Sequence, residues 1–314
     1  MELIDKNITL VGDFILDHYI IGNIDGYESA NTSLILNKES EYTLLGGAAN
    51  VALQLGNINN SKINFYFKIN DYNPIKELAN KYCEYINFYP FENKKYSHLP
   101  IKHRFMCSDT GYQLLRLDEE HNSYIDDLKS ENKLKNLTNT DLVMISDYNK
   151  GTIDSTLIRQ IVDSNTFHIV DGKAINSYYF KWANILFPND EEYIEFCKTS
   201  SLIDKIPFIV HKCGKNGVIV EGWNKSGTQP RRYQLPIPEC FTDKLVDSCG
   251  CGDIIFAVTA ALLPKNIHQL TIEYLVKCVN VAIYCASYSA VKKERIVINK
   301  DLINEAIKYT EDHT

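Results

Sequence analysis

The segment Asp247-Ser-Cys-Gly-Cys-Gly-Asp253 carries the densest chemical signal in the chain. Gly250 and Gly252 stand just before a nearly unbroken apolar run, Ile254 to Leu263, which Pro264 closes. A run that is apolar on every side predicts a helix buried in a core, with the glycine turn at its N-terminus. Such an N-terminus presents unpaired N–H groups and the positive end of the helix dipole, and so attracts anions. Glycine, lacking Cβ, lets the backbone close on a ligand. Asp253 is the odd member. A carboxylate here either caps the helix or takes a proton from a group that attacks a phosphoryl. The segment alone leaves both open.

The elements that must position it form a regular pattern. Lys6–Gly12 predicts a first buried strand ending in Gly12-Asp13. Residues Ile20–Leu45 are polar, aromatic and loosely alternating, as in a flap outside the core. Gly46-Gly47 opens a small-residue helix, Ala48–Leu55. Strands are predicted over Lys62–Ile69 and Ile86–Phe91, with a helix from Pro74 between them, and a hairpin over His98–Ser108 and Tyr112–Asp118. From Leu142 short apolar strands (Leu142–Ser146, Phe167–Val170, Ile185–Phe187, Phe208–Val210) alternate with helices (Ser155–Asp163, Glu191–Lys198, Leu202–Lys205). That rhythm predicts βαβ units and a parallel sheet covered on both faces. Val218–Gly222 and Arg232–Leu235 read as an added antiparallel pair, and helices Thr271–Val291 and Lys300–Thr310 follow. Ligands of such sheets sit beyond the carboxyl ends of the strands. The rim therefore comprises Gly12-Asp13, Ser146-Asp147-Tyr148, Asp171-Gly172-Lys173, Pro188-Asn189 and His211-Lys212.

Composition narrows the classes. The 314 residues are 45% hydrophobic, enough for one large domain with an ample core, and the net charge is −7. An acidic chain is a poor match for nucleic acid or an anionic membrane. No secretory leader or bilayer-length apolar run is apparent, and the nine cysteines contain no C-x-x-C pair. Reduced thiols in the cytoplasm are the expectation. No G-x-G-x-x-G follows the first strand, which argues against a dinucleotide-binding dehydrogenase. His18, His103 and His211 have no spacing that suggests metal or nucleophilic chemistry.

Phosphoryl transfer needs an anion cradle, a magnesium site, cations near the phosphates and a base for the acceptor hydroxyl. Gly250–Asp253 supplies the cradle and the base. Glu192, one turn into a helix at a strand end, is placed to hold magnesium, and Lys173 and Lys212 are cations on the same rim.

These residues resemble, in order along nearly the whole chain, the ribokinase-like (PfkB-type) carbohydrate kinases. Leu45-Gly-Gly-Ala-Ala-Asn50 resembles the family's N-terminal glycine signature and Asn189-x-x-Glu192 its magnesium element. Gly214-Lys-Asn-Gly217 resembles its turn near the nucleotide, and Asp247–Asp253 its Asp-x-Thr-Gly-Ala-Gly-Asp signature. Within the family, Val11–Tyr19, Ile101–Arg104, Gln113–Asp118, Ser146–Gly151 and Val170–Lys173 are most similar to the heptose 7-phosphate kinases of ADP-heptose synthesis.

The resemblance implies a three-layer α/β/α sandwich with a mostly parallel central sheet, a single domain over 1–314, and a small β lid from about 14–45 and 98–118. It implies ATP and Mg2+, with a monovalent cation as a further option, a heptose 7-phosphate or another sugar, sugar-phosphate or polyol acceptor, and a homodimer paired through the lid; a binding protein that keeps the fold without turnover is the alternative of another class. Asp253 would be the general base, with Gly250, Cys251 and Gly252 donating amides to the transferred group. Asp13, Gly46, Gly47, Asn50, Lys102, Arg104, Arg116 and Asp147 would contact the acceptor. Lys173, Asn189, Lys212, Gly214, Gly217, Asp247 and Asn280 would contact the nucleotide, and Asn189 and Glu192 the metal. The chain departs from the heptose branch at Glu28–Ser33, which lacks that branch's prolines and glutamate. It departs again at Gly172, at Cys249 and Cys251, and at Val291–Ile296, which stands where relatives carry a glycine-containing loop beside the adenine.

Overall fold

Glycine and buried β-branched residues break the N-terminal third into strands before the first helix. In this computed structural model, residues 1–28, 32–92, 99–120, 137–198, 206–222, 230–242, 244, 246–292 and 295–313 are described. Strand β1 (Ile8–Gly12) is buried throughout. Two long strands follow, β2 (Phe14–Tyr27) and β3 (Leu34–Gly47), and β3 runs directly into α1 (Ala48–Ile58). Gly47 makes that junction at φ 54°, a left-handed value that suits glycine. Then come β4 (Ile63–Ile69), the short α2 (Lys76–Asn80), β5 (Ile86–Glu92), β6 (Ile101–Cys107) and β7 (Gln113–Glu119). The second half alternates: β8 (Leu142–Asp147), α3 (Ser155–Asp163), β9 (His168–Gly172), α4 (Ser177–Phe180), β10 (Ile185–Leu186), α5 (Asp190–Lys198), β11 (Phe208–Lys212). Strands β12 (Val218–Gly222) and β13 (Arg231–Leu235) precede α6 (Cys251–Leu262), α7 (Ile272–Ala290) and α8 (Lys300–Asp312).

Nine of these strands form one sheet in the order β13-β12-β11-β10-β9-β8-β1-β4-β5. Pairing is parallel from β11 to β5 and antiparallel between β11, β12 and β13. Alternation along β1 and β8 divides the apolar residues between two cores. Ile8, Leu10, Leu142 and Met144 pack with α1, α6, α7 and α8, while Val11, Val143 and Ile145 pack with α3 and α5. The layers are thus helix, sheet, helix, as the alternation of elements predicted. Residues Ile254–Leu262 of α6 are all buried, as their unbroken apolarity required. The last carbonyls of that segment are also satisfied from afar: the buried Lys6 ammonium donates to Ala261 and Leu263 O at 2.6 Å each.

The flap and the hairpin join into a second sheet, β3-β2-β6-β7, with β2 and β6 parallel. The first flap strand starts earlier than the alternation suggested, because Phe14 and Ile15 belong to the buried layer. The helix expected over Leu202–Lys205, and parts of the Glu28–Ser33 and Val291–Ile296 departures, lie outside the described residues. Among the described residues no helix is long and apolar enough to cross a membrane.

Candidate active site

Asp253 sits in the first turn of α6 at the mouth of the glycine turn. Gly250 has φ 81° and ψ −3°, and a Cβ there would meet Asn50 Nδ2 at 3.2 Å and Arg295 Cδ at 3.4 Å. The turn draws one expected donor inward: Cys251 N–H donates to Ser248 O at 3.2 Å. Among the described residues the amides of Gly250, Gly252 and Asp253 find no backbone acceptor, so these, rather than the expected Cys251 amide, are free to meet an anion. Burial pushes the thiols of Cys249 and Cys251 up, the latter to about 12, so both stay protonated.

The Asp253 carboxylate is gripped on both sides. Asn50 Nδ2 donates to Oδ2 at 2.7 Å and the Tyr148 hydroxyl donates to Oδ1 at 2.5 Å. Burial, and then the Asp253 charge, hold the Tyr148 phenol well above its usual range, so it remains a donor. A carboxylate has about four lone-pair positions, so room remains for an incoming hydroxyl. Asp13, expected to meet the acceptor, is fully buried instead. Its carboxylate accepts from the N–H groups of Tyr148 (2.8 Å), Lys150 (3.0 Å) and Thr152 (2.9 Å). Asp13 therefore shapes the loop that presents Tyr148.

Beside Tyr148 lies a charged cluster built by the small sheet. Asp17 Oδ1 accepts from Arg104 Nε and Nη2 at 3.2 and 3.1 Å, and Oδ2 accepts from Arg295 Nη1 at 3.0 Å. Two guanidinium groups on one buried carboxylate leave an excess of positive charge, and among the described residues the buried Arg295 Nη2 has no hydrogen-bond partner. A Cβ on Gly46 would lie 2.5 Å from Asp17 Oδ2, so only glycine leaves room for that carboxylate. The Lys102 ammonium is 5.2 Å above the Tyr148 ring, and burial lowers its pKa. Arg116 faces Arg104 across β6 and β7, yet its guanidinium is engaged by Asp118.

On the other side of Asp253 a cavity of about 580 Å3 opens beyond the carboxyl ends of β8, β9 and β11. It is lined by Asp147, Asp171, Lys173, Glu192, Lys212, Gly214 and Gly217, and by Ile283, Ala286 and Ser287 of α7. Gly217 is at φ 83° with Leu235 O only 2.0 Å from a would-be Cβ, so this turn admits no other residue without movement. The Lys212 ammonium pairs with Asp171 and lies 3.5 Å from where a Cβ of Gly252 would be, adjacent to the cradle. Asn189 and Glu192 cap their helix reciprocally: Glu192 N–H donates to Asn189 Oδ1 and Asn189 N–H to Glu192 Oε2, each at 2.9 Å. Lys173 donates to the other Glu192 oxygen at 2.7 Å.

Burial, reinforced by Asp13, raises the Asp147 carboxyl to about 7, and burial raises Asp171 to about 6 despite Lys212. Four carboxylates (Asp147, Asp171, Glu192 and Asp253) line this cavity, oxygen ligands of the chemical type that Mg2+ takes.

Some expected residues fall elsewhere. Asp147, expected to contact the acceptor, lines this cavity. Asp247 accepts from Cys249 N–H at 2.8 Å and holds the glycine turn from outside the cavity. Asn280 is one turn of α7 short of the lining residues. Conversely, Asp17 and Arg295 were not singled out from sequence, and Tyr148 was placed on the rim without a role. Asp17 and Tyr148 stand inside segments whose similarity to the heptose branch was plain, but their roles depend on contacts 87 to 278 residues away. Arg295 belongs to the loop expected beside the adenine and turns to Asp17 instead.

Comparison with solved structures identifies the fold as that of ribokinase. Ribokinase from Giardia lamblia superposes with a TM-score of 0.74 over 97% of this chain and 99% of its own, at 15% identity. Phosphofructokinase-2 from Escherichia coli gives 0.71 over 98% and 99%, at 14% identity. Among curated sequences the chain is similar to the bifunctional protein HldE of Aliarcobacter butzleri, 27% identical over 281 residues that make up 83% of this chain and 57% of that protein. HldE of Bradyrhizobium diazoefficiens is 24% identical over 82% of this chain and 55% of its own length. The chain spans about half the length of these relatives. No protein-family profile matches it. Both levels of resemblance read from the sequence are borne out: the ribokinase-like kinases in fold, and the HldE proteins in sequence.

Proposed function

We propose that this chain is an ATP- and Mg2+-dependent sugar kinase, and that its acceptor is a heptose 7-phosphate phosphorylated on the anomeric hydroxyl. The observation that carries the reading is the position of Asp253. It stands beside unpaired amides at a helix N-terminus, between a cavity that carries Lys173 and Lys212 and the Arg104–Asp17–Arg295 cluster on the side of the small sheet. The HldE relatives support the choice of acceptor, as does the surplus positive charge of Arg104, Arg295 and Lys102.

In this reading the nucleotide lies against Gly214, Gly217, Ser287 and Ala290, its phosphates directed toward Lys212 and the Gly250–Asp253 amides. Glu192, Asn189 and the neighbouring aspartates would hold Mg2+, which neutralises charge on the phosphates when bound. Asn50 and Tyr148 orient the Asp253 carboxylate. It takes the proton of the acceptor hydroxyl as that oxygen attacks the γ-phosphorus and the bond to the ADP oxygen breaks. The cradle amides stabilise the charge on the transferred group.

The small sheet exposes Leu34 and Ile35 on β3, and Tyr112, Leu115 and Leu117 at and beside β7. Apolar side chains along both edge strands support a homodimer paired through this lid; a light-scattering mass of one chain at assay concentration would refute it. All nine thiols are free, which supports a reducing compartment, and we assign the cytoplasm.

Coupled ADP release across a panel of sugars and sugar phosphates tests the central claim. Turnover of a heptose 7-phosphate supports it. Turnover confined to another sugar, sugar phosphate or polyol moves the acceptor while keeping the mechanism. ATP binding with no turnover of any acceptor refutes the catalytic reading.

A further inference from the structure

A second group of side chains with metal-binding chemistry lies behind the nucleotide cavity and has no part in the mechanism above. Asp190 opens α5, His211 lies in β11, and Cys213 precedes the Gly214–Gly217 turn. A carboxylate oxygen, an imidazole nitrogen and a sulfur from these three residues all lie within 4.8 Å of one another. Metal bonds of roughly 2.0–2.3 Å bring such ligands somewhat closer together, a movement that rotation of the exposed Asp190 side chain can supply.

From this juxtaposition we infer a site for a borderline divalent cation of the Zn2+ type. A mixed sulfur, nitrogen and oxygen set suits Zn2+ and disfavours Mg2+, which takes oxygen alone. Three protein ligands leave the fourth position to water. The site is also pre-organised. The His211 ring stacks on Tyr193 at 4.1 Å between centroids, and the Tyr193 hydroxyl is fixed by Glu221. Nε2 meets Asp190 at 2.8 Å, while Nδ1 is buried and, among the described residues, has no hydrogen-bond partner. His211 and Cys213 are buried and Asp190 is exposed, which gives the ion an entry path from solvent. On binding, the Cys213 sulfur forms the metal bond and its proton leaves to solvent.

The location gives the site a consequence. Lys212, between two of the ligands, points the other way, toward Asp171 and the cradle, while its N–H donates to Pro188 O at 2.8 Å. An ion on Asp190, His211 and Cys213 therefore staples the start of α5, with its Asn189–Glu192 pair, to the strand end that carries Lys212 and the Gly214–Gly217 turn. The coupling to ATP rests on the nucleotide reading above; the metal site itself does not.

The test is titration of the full chain with Co2+ and Zn2+, read by the thiolate-to-cobalt charge-transfer band and by competition with a chromophoric chelator. One equivalent of Co2+ should raise the band. Cys213→Ser should abolish it, and His211→Gln should weaken Zn2+ binding at least about tenfold. Cys249→Ser should leave the band intact, and the unfolding temperature of each metal-free variant verifies folding. No band at one equivalent, or a band that survives in Cys213→Ser, overturns the site. ATP affinity, measured by calorimetry with and without Zn2+, should differ in the wild type and not in Cys213→Ser. Equal affinities in the wild type overturn the staple.

Discussion

Replacing Asp253 by asparagine tests the site most directly, because the structure predicts a large kinetic effect with little structural cost. Both neighbours donate to the present carboxylate, Asn50 to Oδ2 and Tyr148 to Oδ1. An asparagine keeps one acceptor oxygen for Asn50 and turns an NH2 toward Tyr148. The phenolic oxygen can then accept by rotating its own hydrogen, so both contacts persist in altered polarity. Shape and volume are unchanged, and the unfolding temperature should stay within a few degrees of wild type.

The lost function is proton removal. General-base assistance contributes roughly 10^2–10^4-fold, or about 3–5 kcal/mol at 1.36 kcal/mol per tenfold. The turnover number should fall by that factor at saturating ATP and saturating acceptor, taking whichever phosphorylated sugar the wild type turns over fastest. The KM for ATP should change little, because Asp253 lies at the edge of the nucleotide cavity and the lysines there are untouched. Coupled ADP release measures the rate, and a parallel thermal melt verifies folding. A folded Asp253→Asn protein with a rate within about twofold of wild type would refute the assignment of the base and, with it, the mechanism.

Other consequences follow from the same contacts. Tyr148→Phe removes one hydrogen bond to a charged group, worth about 1.5–3 kcal/mol; the rate should fall by about tenfold or more while the KM for ATP holds, and an unchanged rate would show that Tyr148 does not orient the base. Arg295→Ala strips Asp17 of one of its two guanidinium partners, so urea denaturation should show a loss of about 1.5–3 kcal/mol, and the KM for a phosphorylated acceptor should rise more than that for ATP; equal effects on both would argue against an acceptor role. Gly250→Ala forces a side chain into the left-handed region at about 1–2 kcal/mol and against Asn50, so it should lower stability and rate together, and a neutral result in melt and assay would contradict the turn geometry. Asp147 and Asp171, raised to about 7 and about 6, hold protons in the folded chain that the unfolded chain releases near pH 4. Their contribution to stability is therefore greatest below about pH 4 and is lost as pH rises through 6–7. Mg·ATP binding favours the ionised carboxylates, so its affinity should rise across the same interval with proton release, which calorimetry in buffers of different ionisation heat would detect.

Much of the architecture was legible from pattern. The unbroken apolarity of Ile254–Leu263 predicted a buried helix, the strand-helix rhythm after Leu142 predicted the parallel sheet, and both are observed. These features are local: the burial of an element is written in its own residues and their period. The same holds for Gly250, Gly252 and Gly217, whose lack of a side chain is a property of single positions, and for the Asn189–Glu192 spacing, which spans one helical turn.

Roles that depend on partners distant in the chain were decided only by tertiary structure. Asp13 was read as a ligand for the acceptor, yet the fold places it in the interior and commits its oxygens to three N–H groups of the 148–152 loop. Tyr148 became the partner of a carboxylate 105 positions further on. Arg295 crossed from a loop expected at the adenine to a carboxylate near the N-terminus. Residue type and spacing announced that a phosphate cradle and a carboxylate stood together, because both belong to one turn of one helix. What surrounds that carboxylate is assembled from β2, β6, the loop after β8 and the segment before α8, and no period in the sequence records which of their side chains will meet.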